Sequence, residues 1–169
     1  LWGLILRFLT IIITFLVFGP NDAWSAKKKN SRIDHSARYA AIVVDGATGK
    51  VLYSKNAHAR RYPASLTKKM TLYLIFEALE AGKISLSTNW RVSGLAQVQM
   101  PSRLGLKEGE TISVSDVIKA LITKSANDSA VVAAEGLAGS VENFAAMMNK
   151  KAAALGMTNT HFTNPSGVP

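Results

Sequence analysis

A chain of 169 residues with 48% hydrophobic and 18% charged residues has the size and balance of one globular domain, which excludes a disordered polyelectrolyte. The formal charge of +9 is concentrated in residues 1–70, where twelve Lys/Arg face three Asp/Glu. Lys27-Lys28-Lys29 and Arg32 directly follow a hydrophobic segment, the pattern of a solvated leader junction, or of a surface meeting an anionic envelope polymer or membrane, and not of a nucleic-acid reader.

No cysteine is present, which removes a disulfide framework, a thiolate-ligated zinc and a thiol nucleophile. His35, His58 and His161 are scattered, without metal-ligand spacing.

Phe8 to Phe18 is apolar apart from two threonines, the length of a signal-peptide core and short for a membrane span. Gly19-Pro20 breaks it, and Ala23-Trp24-Ser25 places small residues at both positions that a cut after Ser25 requires. Residues 1–25 are read as a signal peptide, with an uncleaved N-terminal anchor as the alternative; either sends the rest of the chain out of the cytoplasm, to the periplasm or cell envelope. Residues 26–36 form a basic linker.

Tyr39 to Asp45 is β-branched and apolar, a buried strand. Gly46-Ala47-Thr48-Gly49 is a turn and Lys50 to Ser54 alternates, so the pair is an antiparallel hairpin. From Ser65 the pattern is helical and apolar nearly all round through Leu79, a largely buried helix ended by Gly82. Residues 83–112 carry short strands and loops. A helix starts at Ser115-Asp116, breaks near Lys124 to Asn127, resumes over Asp128 to Ala138, and is followed by a third over Val141 to Leu155, closed by Gly156. The tail from Thr158 is turn-rich. Strands followed by helices, without βαβ alternation, indicate an α+β domain with an antiparallel sheet. Two strands do not make a stable sheet alone, so this one needs more.

Two clusters carry chemistry. In Ser65-Leu66-Thr67-Lys68 the serine and lysine fall on one helical face, where the amine reaches the hydroxyl. Serine needs a base to attack, and lysine serves once burial lowers its pKa. A helix N-terminus beside them suits a developing oxyanion. Ser65 equally fits a simple N-cap. Ser125-Ala126-Asn127 lies at a helix–helix break, where side chains can face a cleft, although serine and asparagine are also ordinary loop residues.

Pro63-Ala64-Ser65-Leu66-Thr67-Lys68 followed by Ser125-Ala126-Asn127-Asp128 resembles the D-alanyl-D-alanine carboxypeptidases, the low-molecular-mass penicillin-binding serine peptidases, whose wider group pairs S-x-x-K with S-x-N. The hairpin turn Asp45 to Gly49, the stretch Gly105 to Glu110 and the tail Asn164-Pro165-Ser166-Gly167 are similar to the same family. The resemblance covers Ala37 to Pro169. It implies the penicillin-binding protein/β-lactamase-like transpeptidase fold, an antiparallel sheet flanked by a helical cluster, with residues 37–169 as its N-terminal part. It implies that Ser65 attacks a peptidoglycan stem peptide, that Lys68 takes its proton, that Ser125 relays a proton to the leaving amine, and that Asn127 binds the substrate backbone and helps place Lys68. One oxyanion donor is the backbone N–H of Ser65. β-Lactams are the implied acylating inhibitors, peripheral membrane association a further partner, and no metal or organic cofactor is implied.

The family's third motif, Lys-Thr/Ser-Gly, has no counterpart in this sequence. The expectation is a fragment of a longer reading frame; an intact, non-catalytic wall-binding relative is the alternative. A DD-endopeptidase or a β-lactamase of the same fold would use the same residues.

Overall fold

The computed structural model describes residues 39–168, so the expected signal peptide (1–25) and basic linker (26–36) lie outside the described residues. The chain divides after Ala59 into two compact units.

In the first unit, β1 (Ala41–Val44) pairs antiparallel with β2 (Val51–Lys55), with Val43 opposite Tyr53 and an irregularity between Val43 and Val44. The side chain of Asp45 builds the turn: its Oδ1 accepts from the Thr48 N–H at 2.8 Å and the Thr48 hydroxyl at 2.6 Å. The same bonds hold its carboxyl below the usual aspartate range. The hairpin is as expected, but its burial is not. Ile42, Val43, Val44, Val51 and Leu52 are all about half exposed or more. Among the described residues the sheet is a two-stranded ribbon, so each strand has one neighbour.

The second unit is helical with a small sheet. A 3₁₀ turn (Ala64–Thr67) leads into α1 (Lys68–Glu80). β3 (Asn89–Arg91), a one-turn α2 (Gly94–Gln97) and β4 (Thr111–Ser113) follow, then α3 (Val114–Thr123), α4 (Asn127–Ala138) and α5 (Val141–Ala154). β3 and β4 are antiparallel, with Trp90 opposite Ile112 and both buried. The helices start where serine hydroxyls accept free N–H groups: Ser93 from Ala96, Ser113 from Asp116 and Ser140 from Asn143. Thus α3 begins at Val114, slightly before the expected Ser115. Gly139, at φ +78°, ends α4 in the left-handed conformation that glycine adopts without strain.

α4 is the axis of the unit. Its first eight residues, Asn127 to Ala134, are all buried, and it packs against α1, α2, α3, α5 and β3. Small residues (Ala130, Ala133, Ala134) let these neighbours approach. On one side Ile75, Val92, Val117 and Leu121 fill the core; on the other, Met70, Leu74, Phe144, Met148 and Phe162 form a second cluster. The expectation for α1 is met only on one side. Met70, Thr71, Leu74, Ile75 and Ala78 are buried, whereas Tyr73 and Phe76 are exposed. On the open side Lys151 pairs with Glu77 and stands 5.7 Å from the Tyr73 ring centre.

A close approach in this core lies between α4 and the Trp90 side chain of β3. A Cβ added at Gly136 would sit 2.5 Å from atoms of the Trp90 indole. Alanine gains about 1 kcal/mol over glycine in a helix interior, but overpacking a buried ring typically costs about 1–3 kcal/mol. With three ring atoms inside contact distance, the clash wins. Gly136→Ala is therefore expected to lower the urea midpoint, read from Trp90 emission; an unchanged or higher midpoint would show that the ring gives way freely.

Candidate active site

The second unit brings Ser65 and Lys68 together through local geometry. The 3₁₀ turn has three residues per turn, so positions i and i+3 eclipse. Ser65 lies within this turn and not, as expected, at the first residue of the α-helix, which begins at Lys68. The result is a serine on the surface and a lysine in the interior: Ser65 is exposed while Lys68 is 2% exposed. Lys68 Nζ lies 3.3 Å from Ser65 Oγ and donates to the Ser166 carbonyl at 3.0 Å.

Both partners of the amine are neutral oxygens. Burial disfavours an ammonium held by dipoles alone, and it pulls the Lys68 pKa below the ordinary lysine value. A neutral amine in this place has a lone pair to offer the Ser65 O–H, which a protonated one has not.

The tail closes over this pair. Thr71 Oγ1, also buried, donates to the Pro165 carbonyl at 2.7 Å. Gly167 has φ +78°, and a Cβ there would lie 2.0 Å from the Ala64 carbonyl oxygen. Only glycine permits that approach. Phe162 is tied to α5 by reciprocal bonds with the Asn149 amide, at 2.7 and 2.8 Å.

Ser125 and Asn127 stand where α3 gives way to α4. Asn127 is 2% exposed. Its amide donates to the Met100 carbonyl at 2.8 Å and its backbone N–H to the Ser102 carbonyl at 2.7 Å. Next to it, Asp128 accepts backbone N–H bonds from Leu104, Gly105 and Leu106 at 2.8 to 3.2 Å. Ser125 has φ +56°, and Ala64, just before Ser65, has φ +48°. Left-handed non-glycine residues cost roughly 1–3 kcal/mol each and gather at functional sites. Among the described residues no hydrogen bond joins Ser125 or Asn127 to Ser65 or Lys68. The structure thus joins the first pair directly and anchors Asn127, with Asp128, to the 100–106 loop.

Sequence reasoning missed Thr71, Met100 and Ser102 as parts of this framework, and quoted Asp128 within the second motif without giving it a role. That role could have been found, since Asp128 directly follows the second cluster; Met100 and Ser102 lie in a stretch with no periodicity. Among the described residues no group of three or more His, Asp or Glu could hold a metal ion.

Similarity to known proteins agrees with this arrangement. A family described as D-alanyl-D-alanine carboxypeptidase matches residues 25–169. The D-alanyl-D-alanine carboxypeptidase DacF of Bacillus subtilis is 42% identical over 165 residues, which cover 97% of this chain and 42% of the Bacillus protein. The crystal structure of the carboxypeptidase DacD from Francisella tularensis superposes with a TM-score of 0.76 at 36% identity, covering 81% of this chain and 33% of that one. A penicillin-binding protein of Listeria monocytogenes, solved in its ampicillin-bound form, superposes with a TM-score of 0.66 at 34% identity, covering 77% of this chain and 52% of that one. With that match running through both clusters and the tail that covers Lys68, the chain belongs to the D-alanyl-D-alanine carboxypeptidase family of serine peptidases, and its α+β fold is that of the penicillin-binding proteins.

Proposed function

We propose that this chain carries the nucleophile and base of a serine-type D-Ala-D-Ala carboxypeptidase, which removes the terminal D-alanine from peptidoglycan stem peptides. The observation that carries this reading is the buried Lys68 amine, 3.3 Å from the exposed Ser65 hydroxyl. In the acylation step Lys68 Nζ takes the Ser65 proton as Oγ bonds to the carbonyl carbon of the penultimate D-alanine. The tetrahedral oxyanion faces the Ser65 N–H. Collapse breaks the C–N bond, and the proton passes through Ser125 to the departing D-alanine amine. Asn127 holds the substrate backbone at the mouth of the 100–106 loop. Water then cleaves the Ser65 ester and releases the shortened peptide. A β-lactam follows the same first step, but its leaving nitrogen stays tethered within the acyl group.

The chain is laid out as an exported enzyme: residues 1–25 act as signal peptide, 26–36 as linker, and 37–169 belong to the peptidase domain. The site then works on the wall side of the membrane, in the periplasm or cell envelope, and the basic junction favours peripheral association with an anionic surface.

Two outcomes test the chemistry. Intact-mass spectrometry after benzylpenicillin is expected to show one added penicillin mass on the unmutated chain and none on Ser65→Ala; the absence of any adduct would mean an inactive fragment or a non-catalytic wall-binding relative, which the same measurement on a chain extended past Pro169 tells apart. Where acylation occurs, product analysis on muropeptides is expected to show loss of a single D-alanine, whereas release of cross-linked partners would identify an endopeptidase.

The pH dependence tests the base. Since only neutral Lys68 can accept the proton, the acylation rate rises as Lys68 deprotonates, and the midpoint of that rise is expected below the ordinary lysine value of about 10.4. Lys68→Arg, which cannot deprotonate, is expected to slow acylation by about 100-fold or more. A midpoint at the ordinary value, or an active Lys68→Arg, would remove Lys68 from the role of base.

A further inference from the structure

The segment Asn164-Pro165-Ser166-Gly167 supplies the Lys68 contact from a backbone that turns sharply, and one side chain makes that turn. Asn164 Oδ1 accepts from the Gly167 N–H at 2.7 Å, the Ser166 N–H at 3.1 Å and the Ser166 hydroxyl at 3.3 Å. The Asn164 amide donates to the Val168 carbonyl at 3.0 Å. One side chain thus satisfies the backbone on both limbs of the turn. With the N–H groups of residues 166 and 167 drawn inward to Asn164, the carbonyls of Pro165 and Ser166 project outward toward α1. There they meet Thr71 Oγ1 and Lys68 Nζ.

We propose that Asn164 is a positioning residue for the base: it folds the turn that presents the Ser166 carbonyl to Lys68. That carbonyl takes one Nζ–H, which holds the amine in place 3.3 Å from Ser65 Oγ. The turn also shuts water away from the amine. Gly167 makes the fit tight, because its backbone rests on the Ala64 carbonyl and the Thr67 hydroxyl. Asn164 does not touch Ser65 or Lys68, so its effect runs entirely through backbone carbonyls. Pro165 assists by fixing φ in the middle of the turn and by having no N–H of its own to satisfy.

The role of Lys68 as base rests on the proposed function, whereas its placement by Asn164 does not, and two readouts separate the two. The first is the labelling of Lys68 by an acetylating reagent, followed by mass spectrometry with exposed Lys69 as internal reference. In the unmutated chain Lys68 should label far more slowly than Lys69. In Asn164→Ala the Lys68/Lys69 ratio is expected to rise about tenfold as the buried amine meets solvent. Asn164→Asp, which keeps the acceptor for Ser166 and Gly167, should stay near the unmutated ratio. The second readout is the acylation rate with a fluorescent penicillin, expected to fall about tenfold in Asn164→Ala, part of the general-base contribution, and to be largely restored in Asn164→Asp. An unchanged labelling ratio in Asn164→Ala overturns the proposal, as does an equal rise in Asn164→Ala and Asn164→Asp, which would mark a structural role alone. If the unmutated chain does not react with penicillin, the proposed function fails while the labelling ratio still decides the positioning. If Asn164→Ala loses its cooperative melt, Asn164→Gln, which keeps the amide but displaces it by one methylene, carries the same test with the same expected rise; no rise overturns the proposal.

Discussion

An amine buried beside nothing but neutral oxygens is the constraint on which this site depends. An ammonium removed from water loses solvation worth several kcal/mol even after relaxation, and among the described residues Lys68 finds no carboxylate in return. The charged form is therefore the one that suffers. Protein interiors usually settle such a conflict by pairing or by exposure. Here the lysine keeps its burial and gives up proton affinity, as the base role proposed for it requires. The buried Thr71 and the close approach of Gly167 are the means by which the cover stays shut.

The second cluster is held by different physics. Asn127 and Asp128 open a helix whose first two turns are wholly buried. A buried carboxylate is tolerable only if its oxygens are satisfied, and Asp128 meets three consecutive backbone N–H groups of the 104–106 stretch. That bond set fastens an otherwise irregular loop to the central helix. The neighbouring Ser102 hydroxyl donates to the Lys124 carbonyl at 2.7 Å, just before Ser125. The left-handed Ser125 is thus held between two anchored points, and its strain is sustained by the core behind it.

How much of this was legible depended on whether the signal was local. The helices over residues 114–154 were legible to within a residue or two, from the Ser115-Asp116 start, the break near Lys124 to Asn127 and the closing Gly156. The hairpin was equally plain, since Asp45 and Thr48 make their turn from adjacent positions. The Ser65–Lys68 pair was legible because three residues of spacing fix it. The β3–β4 pair was not, because strands of three residues carry too short a pattern and their partners lie about twenty residues apart. The exposure of β1 was misjudged because a β-branched run reports preference for a strand, not what covers it. The Ser166 carbonyl could not be read at all: a backbone oxygen leaves no mark on the side-chain alphabet.

The bond from Lys68 to Ser166 spans 98 residues of sequence. Closing a loop of that length costs on the order of 4 kcal/mol of chain entropy, so the contact forms only when the intervening helices have docked. During synthesis Ser65, the nucleophile of the proposed function, emerges from the ribosome about a hundred residues before the turn that buries Lys68. Until then Lys68 is solvated, retains its proton, and leaves Ser65 an ordinary alcohol. Reactivity is thereby deferred to the end of folding of this unit, and a nascent chain carries no armed serine.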